Sequence, residues 1–220
     1  MGQDMSVRNA TESKTSSGSV NKRKAILDGA LKIFSSDGYS RASIDSIAAE
    51  AAVSTRTIYN HFKDKAALFQ AVIKESASEV AESQIATMDR HFYKITDLEA
   101  DLINYGLALS NQKSDYPDHF ALVRQINAEI GHIPPAAMEA WHDAGPRRVR
   151  TAFIRHIQQL ADSGWLEVLD AERASSHFIL LVATEITNLT QFGTIPIEKS
   201  EELRIVTSGV QAFLRAYPAK

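Results

Sequence analysis

Apolar residues recur at three- and four-residue intervals from Val20 to the C-terminal end, and no stretch alternates strictly between apolar and polar. That pattern predicts helices throughout and no sheet. Ile26, Ala30, Ile33 and Phe34 fall at i, i+4, i+7 and i+8, so a first helix is expected from about Val20 to Ser36, stopped at Gly38. Ser43 is placed to cap a second helix, with Asp45 in its first turn and Ile44, Ile47, Ala48 and Ala51 on its inner side. Ala52 and Val53 interrupt it. Ser54 caps a short third helix ending near Phe62, and Asp64 caps a long fourth from Lys65 to about Met88. Further helices are expected over about 97–111, 117–130, 135–141, 146–163, 171–192 and 198–216, with Gly164 and the Gly193–Pro196 stretch as breaks. Residues 1–19 are polar, rich in Ser, Thr and Asn, and read as a disordered arm.

The predicted fold class is therefore all-α: a disordered arm (1–19), a three-helix helix-turn-helix domain (20–65) and a larger helical domain (66–220). Composition changes this picture little. The chain has no cysteine, which removes disulfides and cysteine zinc sites from consideration and fits a reducing cytoplasm. No apolar run approaches the roughly 20 residues of a membrane span, so no membrane partner is expected. The net charge is −3, yet residues 1–65 carry ten Lys and Arg against seven Asp and Glu. A basic N-terminal end on an acidic body suggests two tasks. The seven histidines show no metal-ligand spacing and no phosphate-cradling glycine loop is present, so neither an enzyme nor a cofactor is expected. His177 and Glu185, two turns apart on one helix, read as polar pocket or interface residues rather than an acid–base pair.

The chemistry concentrates in VSTRTIYNHFKDK, Val53 to Lys65. Val53, Ile58 and Phe62 would face inward against Phe34, Ile44 and Ile47. Thr55, Arg56, Thr57, Tyr59, Asn60 and His61 are left pointing outward or sideways. Such a helix suits a major groove: Arg can donate twice to guanine, Asn pairs with an adenine edge, and Thr offers a methyl to thymine. Lys65, at a helix start, suits a phosphate. The basic cluster Lys22, Arg23 and Lys24 could anchor to the DNA backbone or could simply open a solvated helix.

The string SRASIDSIAAEAAVSTRTIYNHFKDKAALFQAVI, Ser40 to Ile73, closely resembles the DNA-binding domain of the TetR family of bacterial transcription regulators, and the resemblance extends over about Asn21 to Lys74. It departs from the family pattern at Ala52 and Arg56, where glycine is usual or frequent. The resemblance implies that Ser43 caps a helix and touches a phosphate, and that Thr55 and Arg56 read bases. Thr57, Tyr59 and His61 would make backbone or mixed contacts, and Lys65 a phosphate contact. The segments His119–Val149 and Leu160–Ile179 resemble the regulatory half of an AefR-like branch, more loosely.

By the same resemblance the helical body should dimerise and hold a small-molecule effector. The last two helices carry apolar residues on more than one side, and Phe178, Leu181, Val182, Ile186, Val206, Val210, Phe213 and Leu214 are the expected interface with a second copy. The alternative is that both are core helices of a single subunit. Tyr105, Phe120, Arg124, Trp141, Phe153, His177, Glu185 and Phe192 are the expected effector contacts, though they equally suit an ordinary core. The function expected is a cytoplasmic repressor that binds a palindromic operator in double-stranded DNA as a homodimer and is released by its effector. The alternative is a helical dimeric interaction module with only non-specific DNA binding.

Overall fold

The helical periodicity is realised as eleven α-helices and one short 3₁₀ turn, with no strand among the described residues. The computed structural model describes the backbone of residues 5–219 and the side chains of residues 20–219. Of the arm expected over residues 1–19, residues 1–4 lie outside the described residues, and the first helix begins at Met5 rather than near Val20. The helices are α1 (Met5–Arg41), α2 (Ile44–Glu50), α3 (Thr55–His61), α4 (Lys65–Phe92), α5 (Leu98–Asp115), α6 (Pro117–Ala128), α7 (Pro135–Ala144), α8 (Pro146–Asp162), α9 (Ala171–Val182), α10 (Thr184–Leu189) and α11 (Lys199–Ala216). Pro117, Pro135 and Pro146 each open a helix, where a missing N–H is harmless. Asp97 and Asp170 cap α5 and α9 by accepting from Ala100 N (3.1 Å) and Arg173 N (2.9 Å).

The chain forms two compact units: Met1–Ser76 with Ala121–Ala140, and Ala77–Phe120 with Trp141–Lys220. Helices α4, α6 and α7 each contribute residues to both. In the first unit Ile26, Ala30, Phe34, Ile47, Ile58, Leu68, Phe69 and Ile73 are almost wholly buried. Phe69 meets Phe34 edge-on at 4.9 Å and Tyr39 at 4.7 Å. Gly29 lets α1 approach α2 closely: a Cβ there would lie 2.9 Å from Ala51 N.

In the second unit α5, α8, α9 and α11 enclose an aromatic core of Tyr105, Phe153, Phe178 and Phe213, flanked by Phe92. Gly209 brings α11 against α9; a Cβ there would lie 2.3 Å from the Leu181 carbonyl oxygen. The helix expected over 171–192 is in fact two, divided at Ala183, whose φ widens to −112 (ψ −25) while its N–H still reaches Ile179 O. Thr187 and Thr190 then turn their hydroxyls onto the carbonyls of Ala183 and Ile186.

This packing corrects the expected dimer residues. Phe178, Val182, Val206, Val210 and Phe213 are 0% exposed and Ile186 is 2% exposed, so the subunit's own core consumes them. Leu214 is half-buried against that core. Of the eight, only Leu181 is substantially exposed, and it is joined on the surface by Ile179, Leu180, Leu189, Phe192, Ile195 and Leu203. Single-sequence periodicity marks both sides of α9 and α11 as apolar. It does not say which side the monomer uses.

Candidate nucleic-acid interface

Two short helices joined by a rigid corner present the candidate surface. Ser43 caps α2: its Oγ accepts from Ser46 N (3.0 Å), while Ser46 Oγ accepts from Ser43 N (3.2 Å). This is a capping box with serine in the place glutamate or glutamine usually fills. At the far end the chain reverses through Ala52, whose φ is 51, and Val53 N returns to Ala48 O at 3.0 Å. Alanine therefore occupies the left-handed conformation that glycine would take without strain. Ser54 then caps α3 through Thr57 N at 3.1 Å, and its Oγ also meets Thr57 Oγ1 at 2.8 Å.

The burial of α3 selects its outer face. Ile58 is 0% and Phe62 6% exposed, fixing the inner side. Arg56, Tyr59 and Asn60 are exposed at i, i+3 and i+4, one continuous strip. Thr55, Thr57 and His61 are half-buried on its flanks, and the Thr57 hydroxyl is already engaged by Ser54.

Lys65 is placed otherwise than expected. Its ammonium donates to the carbonyls of Tyr39 (2.9 Å), Ser40 (3.3 Å) and Ala42 (3.1 Å) and lies 4.8 Å from the Tyr39 ring centroid. An ammonium has three donors. All three close the end of α1 onto the start of α4, which corrects the expected phosphate role. The basic cluster is also partly engaged. Arg23 lies 5.6 Å over the Phe62 ring and 3.6 Å from Glu75, and Lys24 pairs with Asp28 at 3.1 Å, while Lys22 is exposed. Arg41 and Lys63, exposed beside α2 and α3, are basic residues that helix periodicity did not single out. The arginine run of α8 is no rival patch. Arg147, Arg148, Arg150 and Arg155 pair with Asp143, Glu82, Glu172 and Asp89.

Glu129 is a further residue that sequence reasoning missed. Its Oε2 accepts from Ser40 N (2.8 Å) and Ser40 Oγ (3.1 Å), and Gln125 Nε2 donates to Ser36 O (3.3 Å). Together they bracket the corner between α1 and α2. Gly38, at φ 81, makes room: a Cβ there would lie 2.4 Å from Glu129 Oε1. Burial pushes the Glu129 carboxyl up, but the Ser40 hydrogen bonds, with Arg41 and His132 nearby, outweigh it and hold it below its ordinary value. No local signal marks such a residue, because its partners lie 89 positions away.

The expected effector contacts differ in burial. Tyr105 and Phe153 meet at 5.4 Å in the aromatic core. Phe120 and Trp141 are half-buried in the second unit, whereas Arg124 belongs to the first. His177, Glu185 and Phe192 are exposed, with His177 Nδ1 2.6 Å from the Tyr217 hydroxyl. These three lie on the outside of the unit, a place that suits the interface reading of His177 and Glu185 better than a pocket. No helix of the described residues is long and apolar enough to cross a membrane.

Comparison with known proteins agrees with this geometry. Residues 26–72 match the model of "Bacterial regulatory proteins, tetR family", and residues 101–219, more than half the chain, match "AefR-like transcriptional repressor, C-terminal domain". The HTH-type transcriptional regulator AcrR of Shigella flexneri is 40% identical over 72 residues, covering 33% of this chain and 34% of that protein. The chain thus spans about a third of the length of the curated relatives it matches. A crystal structure described as a TetR-family transcriptional regulator of Mesorhizobium loti MAFF303099 superposes with a TM-score of 0.80 at 28% identity, covering 90% of this chain and 98% of that one. A TetR family regulator of Pseudomonas syringae pv. tomato str. DC3000 gives 0.66 at 25% identity, covering 89% and 96%.

Proposed function

Because the chain belongs to the TetR family of bacterial transcriptional regulators, we propose that it is a cytoplasmic, effector-released repressor that binds a palindromic operator as a homodimer. The observation that carries the reading is the exposed Arg56, Tyr59 and Asn60 strip on a helix capped at Ser54 and anchored by buried Ile58. A short helix held this firmly fixes the backbone positions from which base-reading side chains project. Arg56 is the principal base reader, with Thr55, Tyr59 and Asn60 beside it. Ser43, Thr57, His61, Lys22 and Arg41 lie toward the backbone.

A single seven-residue helix reads few base pairs. Two copies related by a twofold axis read a palindrome, with half-sites spaced about 34–36 Å apart. The exposed apolar residues of α9, α10 and α11, led by Leu180 (60%), Leu189 (54%) and Leu203 (46%), support that pairing. The release part of the reading rests on α4. Helix α4 has residues in both compact units and is the element through which we propose that effector binding is communicated. A change in half-site spacing then weakens DNA binding, with a coupling on the order of 1–3 kcal/mol.

Titration of the full chain against the promoter region beside its own gene, at roughly 150 mM salt, tests the reading. Sequence-dependent binding at one dimer per site is expected. Arg56→Ala should cost about 1–3 kcal/mol at one base pair and relax the choice there. Weak binding that treats all sequences alike and falls steeply with salt would instead establish a helical interaction module with non-specific DNA affinity.

A further inference from the structure

Three side chains of the second unit are buried with polar atoms that no protein group answers. Tyr105 is 0% exposed and its hydroxyl has no partner. Gln112 is 4% exposed and neither atom of its amide is bonded. His156 gives Nε2 to Asp89 Oδ1 at 2.9 Å, leaving Nδ1 unpartnered. The imidazole keeps at least that one bond. The buried phenol and the buried carboxamide keep none, and each loses its bonds to water and gains nothing in return. Cores normally satisfy such groups.

The two costly groups are related by the helix they share. Seven residues are nearly two turns of α5, so Tyr105 and Gln112 lie on one side of it, about 10 Å apart along the axis. Half-buried Leu109 lies between them in sequence. The Tyr105 ring packs among other rings, with Phe92, Phe153 and Phe178 centred 4.9, 5.4 and 6.0 Å from it. Charge is missing from this interior. Among the described residues no Asp, Glu, Lys or Arg is fully buried. Lys113, half-buried beside Gln112, donates to Thr187 Oγ1 at 2.9 Å. Burial also keeps the Tyr105 phenol protonated by raising its pKa. The charged groups at its margin, Lys113 and Asp89, are already held by Thr187 and His156, so an ionised guest would have to compete for them.

We propose that the Tyr105–Gln112 stripe of α5 binds an uncharged, elongated aromatic molecule with a hydrogen-bonding group at each end, one met by the Tyr105 hydroxyl and the other by the Gln112 amide. This names the chemical class of the effector and rests on the effector-released reading above. The rings of Phe92 and Phe153 pack on its faces and edges, and the two polar side chains fix its length and orientation.

Calorimetry and thermal unfolding of the full chain test it, using para,para-dihydroxybiphenyl, biphenyl and biphenyl carboxylate as probes on the native chain, Tyr105→Phe and Gln112→Leu. The diol should bind best, and each substitution should weaken it about tenfold while leaving biphenyl unaffected. Without any probe the two variants should melt no lower than the native chain, since each removes an unanswered polar group. Equal or tighter binding of the carboxylate, or full diol affinity in both variants, overturns the assignment. So does failure of every probe to bind. A lower melting point for unliganded Tyr105→Phe overturns it too, because the hydroxyl would then be satisfied already, by ordered water. A parallel DNA-release assay separates the two readings. Diol binding that depends on Tyr105 but leaves DNA bound sinks the regulatory reading alone. DNA release by other molecules, unchanged in both variants, sinks this inference alone.

Discussion

Replacing Ala52 by glycine should stabilise the protein, although glycine usually does the opposite. Ala52 has a φ of 51 at the corner between α2 and α3. An L-residue with a Cβ is strained there by about 1–2 kcal/mol, and glycine is not. Ala52 is exposed, so deleting its methyl opens no cavity. Against the relief stands the extra freedom of glycine in the unfolded chain, about 0.4–1 kcal/mol. The net expectation is a gain of about 0.5–1 kcal/mol, or a rise of about 1–4 °C in melting temperature for a chain of this size. Its neighbour supplies the control. Ala51 sits at φ −78 with its Cβ toward Gly29, so Ala51→Gly has no strain to relieve and should destabilise by about 1 kcal/mol. The assay is urea unfolding of the three proteins at one fixed protein concentration, comparing midpoints and slopes. Destabilisation by Ala52→Gly, or the same sign for both substitutions, would refute the reasoning.

Three further outcomes are expected. Lys65→Met removes the ammonium from three carbonyls and should lower stability by about 2 kcal/mol while leaving the slope of DNA affinity against salt unchanged; a phosphate contact would flatten that slope by about 0.9. Gly209→Val drives a side chain into the Leu181 backbone carbonyl, so α9 and α11 must separate, with a loss of about 1–3 kcal/mol in denaturant melts and weaker self-association in ultracentrifugation. Burial of His119 lowers its pKa from 6.5 to about 4. The unfolded chain therefore takes up a proton that the folded one refuses between those values, and stability is complete above 6.5 and falls with pH across that window. His119→Gln should make that fall shallower in melts compared at pH 7 and pH 5.

Local chemistry made much of the first unit legible in the sequence. Caps act over three residues, so Ser43, Ser54 and Asp64 announced the starts of α2, α3 and α4 and were found bonded to the amides of Ser46, Thr57 and Ala67. Helix period put Ile58 and Phe62 inside and left Arg56, Tyr59 and Asn60 outside. The positive φ of Ala52 follows from its place in a turn usually held by glycine. Tertiary structure decided the rest, because it depends on groups remote along the chain. Lys65 was drawn to carbonyls more than twenty residues earlier. Glu129 found Ser40 across 89 positions. Phe178 and Val206 went to the core while Leu180 and Leu203 stayed outside. Periodicity gives each helix an apolar side or two, but only the neighbours packed on it determine which side is covered and which polar groups inside go unanswered.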